Sequence, residues 1–410
     1  MGDWLGRTIE LDVTNIAHGG VSVARHDGRV VFVADAIPGE RVLARVSSDS
    51  KKSFWRAETV EVLAASPHRQ PHVWDAADLD RDPVDRAGGA EFGHIELAHQ
   101  RELKRQVITD SLARMARIER DVTVEAVPGD DDRAGTGWRT RVRLHVDETG
   151  RPGPFAARSH RVIPVTSLPL ATAELEASAP LGERFDGYES VDVLNPSTGG
   201  VRLIVGDQKP SVITERVGER EFRLADSGFW QVHRGAAATL TEAVQSAIDP
   251  ELFDPQAANL DLYGGVGLLA AAVADRFGPS TRITSVESDA TATDFAAENL
   301  SEWLGARAET GRVERWVAAL AASAGTSERE RLARATVVLD PPRAGAGRDV
   351  VEAVARLKPA QVVYVACDPV AFARDTALFA DLGYHLGGLR AFDLFPHTHH
   401  VEAVGTFTRT

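Results

Sequence analysis

Cysteine is all but absent from this chain: Cys367 is the only one in 410 residues. An internal disulfide is therefore excluded, as is a zinc or iron–sulfur site held by four cysteines. Long apolar runs are missing too, since a bilayer span needs about 18 or more consecutive apolar residues. The opening residues, Met1-Gly2-Asp3-Trp4-Leu5-Gly6-Arg7, lack the basic-then-apolar layout of a signal peptide. Gly6 stands where a myristoylation signal carries Ser or Thr. The expectation is a cytoplasmic protein with no membrane contact and no obligate protein partner. Positive charge is also short, because 46 Lys and Arg against 60 Asp and Glu leave a net charge of -14. That balance argues against general nucleic-acid binding, which draws on Lys and Arg. A local basic track remains available at Trp138-Arg139-Thr140-Arg141-Val142-Arg143. There is no internal repeat, and only the alanine-rich stretch 316–324 approaches low complexity.

The length leaves room for two or three domains. Residues 1–65 read as five short strands separated by glycine turns, with Thr8 to Val13, Val30 to Ala34, Arg41 to Val46 and Ala57 to Leu63 as the clearest. A small closed, OB-like β-barrel follows, because closure removes the exposed edges of so short a domain. Within it, Lys51-Lys52-Ser53-Phe54-Trp55-Arg56 mixes bases with aromatics, which suits either stacking on nucleotides or a solvated hairpin tip.

Residues 66–225 form a mixed α+β central domain. It opens on a polar, proline-containing linker to Arg86 and continues with a helix from about Leu97 to Arg117. The apolar face of that helix carries Leu103, Val107, Ile108, Leu112 and Met115. Arg141 to Val146, Val201 to Val205 and Ser211 to Glu215 are candidate strands. From 226 to 410 strands and helices alternate, the pattern of a doubly wound α/β domain with a mostly parallel sheet. One helix is expected over Ala290 to Leu304, and the terminal antiparallel pair over Gly387 to Leu394 and His400 to Thr406.

Three strand ends in this last domain carry chemistry. Asp261-Leu262-Tyr263-Gly264-Gly265-Val266-Gly267 lies at a strand-to-helix junction, where glycines admit a ligand close to the backbone and the helix start offers free N–H groups. Glu287 ends the next strand, twenty positions after Gly267, placed to accept bonds from ribose hydroxyls. The turn lacks the full G-x-G-x-x-G spacing of a dinucleotide site. Asp340-Pro341-Pro342-Arg343-Ala344-Gly345 follows another strand, and its prolines stiffen the backbone behind an acid at the carboxyl edge of the sheet. Val365-Ala366-Cys367-Asp368-Pro369 ends a strand in the same way. A lone cysteine is most often a small buried apolar residue. Beside Asp340, with a helix starting near Val370, Cys367 reads instead as a nucleophile. In Phe395-Pro396-His397-Thr398-His399-His400-Val401-Glu402 the histidines suggest metal, but no cysteine or spaced acidic pair supports it. Glu402 is either a salt-bridged surface residue or a general base.

Taken in order, these motifs resemble the uracil-5 RNA methyltransferases that modify tRNA and 23S rRNA. The resemblance rests on Phe229-Trp230-Gln231, the 261–267 and 340–345 motifs, Ala366-Cys367-Asp368-Pro369 with Ala373-Arg374-Asp375, and Phe395-Pro396-His397-Thr398 with Val401-Glu402. His18-Gly19-Gly20 and Pro38-Gly39-Glu40-Arg41 resemble the TRAM domain, a small RNA-binding barrel that often precedes this catalytic unit. The resemblance implies a Rossmann-like methyltransferase domain that uses S-adenosylmethionine to form 5-methyluridine. Cys367 would add to uracil C6, and Glu402 would remove the C5 proton. Gln231 and Asp340 would lie between uracil and cofactor, touching both, while Tyr263, Glu287 and, more weakly, Leu268 would hold the cofactor. The target base would be flipped from its stack.

Departures from the family are visible as well. Many relatives carry an iron–sulfur site with a Cys-Gly-Gly-Cys core, and here the matching stretch is Ala87-Gly88-Gly89-Ala90, so no cluster is expected. Asp368 replaces a frequent Asn, and His400 a frequent Gly. The stretch 317–322 lacks the polar residue expected at the adenine edge, so none is named there. Two other readings stay open: a methyltransferase of another substrate, and a catalytically silent RNA-binding homologue.

Overall fold

The computed structural model describes residues 4–409; Met1 and Gly2, read above for a lipidation signal, lie outside them. The chain begins with β1 (Thr8–Ala17), β2 (Val21–His26), β3 (Arg29–Ala34), β4 (Arg41–Ser48) and β5 (Phe54–Ala64), which close into a barrel in the order β1-β2-β3-β5-β4. Alternation sends Leu11, Val13, Val31, Val33, Val42 and Val46 inward. Val21–His26 is the strand the sequence reading does not place. It is joined to β3 through Asp27-Gly28, both with positive φ (48° and 78°), the backbone of a tight hairpin turn. Trp55 is buried in the barrel core, with Arg29 over its ring at 4.5 Å. It is therefore unavailable for stacking on a base, and the exposed part of its hexamer is Lys51-Lys52-Ser53 and Arg56.

The next helix, α1 (Leu97–Ser111), widens into a π turn over Leu112–Ala116 and stops at Arg117, whose φ of 57° is left-handed. Leu103, Ile108 and Leu112 are buried, but Met115, expected on the same face, is 41% exposed because the π turn breaks the register. A short β6 (Val124–Ala126) follows. Then β7 (Arg141–Val146), β8 (Pro152–Gly153), α2 (Ala173–Ser178), β9 (Ser190–Leu194) and β10 (Arg202–Val205) build a sheet of order β10-β9-β7-β8, and β11 (Val212–Val217) pairs with β12 (Arg220–Ala225).

The remainder is α3 (Ala236–Ala247), β13 (Asn259–Leu262), α4 (Leu268–Phe277), β14 (Ile283–Glu287), α5 (Ala290–Asn299), β15 (Ala306–Thr310), α6 (Val313–Ser323), α7 (Thr326–Leu332), β16 (Thr336–Leu339), α8 (Gly347–Leu357), β17 (Gln361–Ala366), α9 (Pro369–Asp381), β18 (Tyr384–Asp393) and β19 (Glu402–Arg409). Its strands form an eight-stranded sheet of order β15-β14-β13-β16-β17-β19-β18-β6. β19 runs antiparallel between β17 and β18, and the other pairs are parallel.

Both faces of this sheet are covered. Along β17, Val362, Tyr364 and Ala366 join the apolar layer with α8 and α9, while Val363 and Val365 join the layer with α3 and α4. Burial on both sides explains why the strand is an unbroken apolar run, each such side chain contributing roughly 1.5–3 kcal/mol. The helix expected to reach Leu304 ends at Asn299. Its side-chain amide donates to the carbonyls of Arg223 and Val266, tying the helix end to β12 and the glycine turn. Among the described residues no helix is long and apolar enough to cross a membrane.

Candidate active site

The strand order reverses between β13 and β16: from β13 the chain builds outward through β14 and β15, then returns to lay β16 and β17 on the other side. The loops leaving the carboxyl ends diverge at such a point and open a crevice. Here it is a cavity of about 930 Å³ whose walls include Gln231, Tyr263, Glu287, Asp340, Cys367 and Glu402. Leu268 is set apart from these six: its side chain is 9% exposed and packs in the apolar layer beneath. Any contact from that position to a ligand would come from the main chain at the start of α4.

One half of the cavity is a backbone cradle. A Cβ on Gly264 would fall 1.9 Å from Ser285 Oγ and 2.6 Å from Asp261 Oδ2, so only glycine fits. Tyr263 takes a left-handed φ of 67°, and Gly267 caps α4 at 91°. Glu287 spans the cradle: its Oε2 accepts from Gly265 N at 3.2 Å, and its Oε1 from the backbone amides of Ser288 and Asp289. Those bonds, with Ser288 Oγ also donating to Oε1, fix the carboxylate and leave Oε2 free to accept from a hydroxyl donor. Beneath lies Asp261, which the sequence reading left without a role. Burial pushes its carboxyl up to about 6, Ser285 Oγ donates to Oδ2 at 3.0 Å, and Oδ1 has no partner among the described residues.

The other half carries the reactive groups. β17 and β19 pair with Ala366 opposite Ala403, which sets Cys367 opposite Glu402, one step on. Residues directly opposite on antiparallel strands share a face. Asp340 leaves the neighbouring β16, its amide donating to Leu262 O at 3.2 Å. Burial pushes Asp340 up to about 7, with the nearby Asp261 adding to it. Glu402 is held well above the usual carboxylate range by burial and then by Asp340, with Arg343 working against both. The Cys367 thiol is raised to about 12 by burial, Glu402 and Asp340, again opposed by Arg343. Burial and mutual repulsion thus raise the proton affinity of the two acids and the thiol together, and the Arg343 charge offsets part of that rise for Cys367 and Glu402.

Supporting bonds hold both loops. Asp375, buried, accepts from Tyr364 Oη at 2.7 Å and Gly347 N at 3.1 Å, and Arg374 donates to Ala344 O at 2.8 Å. These clamp the 340–347 loop. The segment before Glu402 is clamped from α1: Gln100 Oε1 accepts from His397 N at 2.7 Å, and Lys104 donates to Asp393 and to Phe395 O. The three histidines are spoken for differently. His397 is buried against Gln100 and Ala134 O, His399 lies 3.6 Å from Glu91, and His400 lines the cavity. No group of three or more His, Cys, Asp or Glu among the described residues is arranged to hold a metal ion.

The arginine cluster is not the continuous basic track its sequence suggested. Arg143 pairs with Asp192 at 2.7 Å, and Arg141 turns inward to Gly228 O and Glu215. Only Arg139 reaches the cavity wall, its Nε donating to Arg141 O at 2.9 Å. Arg139 precedes β7 and lines the cavity, a placement that the run of charges hid. Phe229, 73% exposed, projects at the rim. Ala87 and Ala90 are buried in the apolar cluster of the central domain, and their methyl groups offer no ligand to iron.

A barrel joined to a doubly wound sheet whose switch-point crevice holds a glycine cradle, a cysteine and a carboxyl has the layout of an enzyme site. Comparison narrows this reading. The family model described as tRNA (Uracil-5-)-methyltransferase matches residues 221–409, and the TRAM domain model matches residues 4–59. An uncharacterized RNA methyltransferase of Streptomyces avermitilis is 36% identical over 440 aligned positions, covering 98% of each chain. One from Bifidobacterium longum is 34% identical, covering 98% of this chain and 96% of its own. The crystal structure of Pyrococcus abyssi tRNA (uracil-54, C5)-methyltransferase in complex with S-adenosyl-L-homocysteine superposes with a TM-score of 0.70. It covers 97% of this chain and 99% of its own at 20% identity, a likeness of fold. The chain belongs to the tRNA (uracil-5-)-methyltransferase family and is an RNA methyltransferase.

Proposed function

We propose that the protein transfers a methyl group from S-adenosylmethionine to carbon 5 of a uridine in cytoplasmic tRNA or 23S rRNA, through a covalent bond between Cys367 and C6. The observation that carries this is the opposition of Cys367 and Glu402 across β17 and β19, next to Asp340. Methylation of nitrogen or oxygen needs neither a thiol adduct nor a base at that place.

The cradle fits the cofactor: Gly264 admits it close to the backbone, and Tyr263 and Glu287 would hold the adenosine, Glu287 through the ribose hydroxyls. When bound, S-adenosylmethionine supplies a methyl group on a positively charged sulfonium. Positive charge beside raised acids favours their ionised forms. That charge makes Glu402 and Cys367 readier to lose protons. Gln231 and Asp340 line the cavity and would touch both ligands, and Asp340, pushed up to about 7, can both donate and accept near neutral pH.

Carbon 5 of uracil is a poor nucleophile while C5=C6 is intact. The Cys367 thiolate bonds to C6, and the displaced π pair moves onto C5 and O4. The C5 pair would then take the methyl group as its bond to the sulfonium sulfur breaks, that bond's pair staying on sulfur in neutral S-adenosylhomocysteine. C5 is left with both a methyl and a hydrogen. Glu402 accepts that proton, the C5–H pair re-forms C5=C6, and Cys367 leaves as thiolate. The test is methyl transfer from tritium-labelled cofactor to total tRNA and to rRNA separately. Label in one pool, recovered as 5-methyluridine, is expected. Label in another nucleoside, or none, contradicts the proposal.

A further inference from the structure

The barrel does more than sit beside the catalytic domain. Its β1–β2 turn, His18-Gly19-Gly20, reaches across to the back of the nucleophile loop. His18 Nε2 donates to Asp368 Oδ2 at 2.7 Å, and Asp368 is the residue after Cys367. Both oxygens of Asp368 are thereby engaged, since Oδ1 caps α9 by accepting from Val370 N at 3.0 Å and Ala371 N at 2.8 Å. Two residues on, Gly20 lies so close to His399 that a Cβ would fall 2.7 Å from the His399 Cβ. His399 is three residues before Glu402. One turn of the barrel therefore touches the segment that carries the thiol and the segment that carries the carboxyl.

That turn has a rigid mount. Ile16 and Ile37 of the barrel share a buried cluster with Phe92, Ile95 and Leu103 of the central domain. Arg86, nearly inaccessible, pairs with Asp35 at 2.7 Å and donates to Thr59 O at 2.9 Å. The backbone that carries His18 is held by this interface two residues away, at Ile16. The His18–Asp368 bond itself is partly solvated, with side-chain exposures of 47% and 21%. Exposed pairs contribute little to overall stability. Its consequence is local: it fixes the backbone one residue from the reacting sulfur, where a misplacement of about 1 Å costs on the order of a hundredfold in rate.

We propose that His18 is a positioning residue for the reaction, latching the Cys367 loop to the barrel through Asp368 so that thiol and carboxyl stay in register. The inference rests on the covalent mechanism proposed above. It makes the barrel part of the catalytic apparatus as well as a candidate RNA-binding surface.

Steady-state kinetics on full-length protein separate these roles. His18→Ala is expected to lower kcat about tenfold while the KM for RNA stays within about twofold. His18→Gln, whose amide still donates to Asp368, is expected to recover most of the loss. In a double-mutant cycle, His18→Ala with Asp368→Asn should be no slower than His18→Ala alone, because the two changes break one contact. A raised KM with unchanged kcat would make His18 an RNA contact and overturn the latch. Additive losses in the cycle would overturn it too. Wild-type protein that forms neither product nor covalent adduct would instead sink the mechanism on which the latch rests.

Discussion

Cys367, one residue past the end of β17, and Glu402, which opens β19, flank the last pair of these antiparallel strands, Ala366 with Ala403, and both line the cavity. The two are 35 positions apart in sequence, with α9 and β18 between them. What brings them together is the insertion of β19 between β17 and β18. Their surroundings raise the proton affinity of both groups, through burial first and through the neighbouring carboxylates next.

Thiol reactivity follows directly. Since Cys367 is the only cysteine, alkylation by iodoacetamide reports on it alone. With the thiol pushed up to about 12, the rate at pH 8 should fall well below that of a free cysteine. It should then climb about tenfold per pH unit through pH 10. Glu402→Gln removes a negative neighbour and should speed alkylation, while Arg343→Ala should slow it. A plateau reached near pH 8.5 would contradict the account.

A second consequence concerns stability. Asp340 has its folded-state carboxyl raised from 3.8 to about 7, so folding takes up a proton between those values. Stability from this group is present below its unfolded pKa and is lost as pH rises through about 7. Asparagine does not titrate. Asp340→Asn should therefore be inactive but more stable than wild type at pH 8, by roughly 1–3 kcal/mol, with the gap closing by pH 4. Urea unfolding at the two pH values measures it, and a gap that does not change with pH would contradict the assignment.

The glycine cradle gives a third. In Gly264→Ala the new methyl meets Ser285 Oγ and Asp261 Oδ2, both buried, so the turn must shift. S-adenosylhomocysteine affinity measured by calorimetry should drop by roughly tenfold or more, on the scale of about 1.4 kcal/mol per decade. Unchanged affinity would move the cofactor elsewhere.

Much of the architecture was legible in the sequence, because its signals are local. The apolar run Gln361–Ala366, the glycine turn at 264–267 and the proline-stiffened end at Asp340 each announce a strand end in a doubly wound sheet. Some misses were legible too: Asp27-Gly28 between two alternating segments is a hairpin signal that places Val21–His26. Other features depend on tertiary structure. Arg139 faces the cavity while Arg141 and Arg143 find partners elsewhere, on segments distant in sequence. Trp55 sits in a hexamer that suits either base stacking or a solvated hairpin tip, and closure of the barrel buries it. Leu268 follows the cradle in sequence, but the first turn of α4 points its side chain into the core. His18 and Asp368, 350 positions apart, meet only once the barrel docks.

The most direct test of the central claim is trapping with RNA that contains 5-fluorouridine, in the presence of S-adenosylmethionine. Fluorine at C5 cannot leave as a proton does, so the final elimination is blocked and the Cys367–C6 bond persists. The account predicts a protein–RNA adduct that survives denaturation for the wild type and is absent for Cys367→Ala. Active methyl transfer without an adduct, or an adduct that forms equally well in Cys367→Ala, would contradict it.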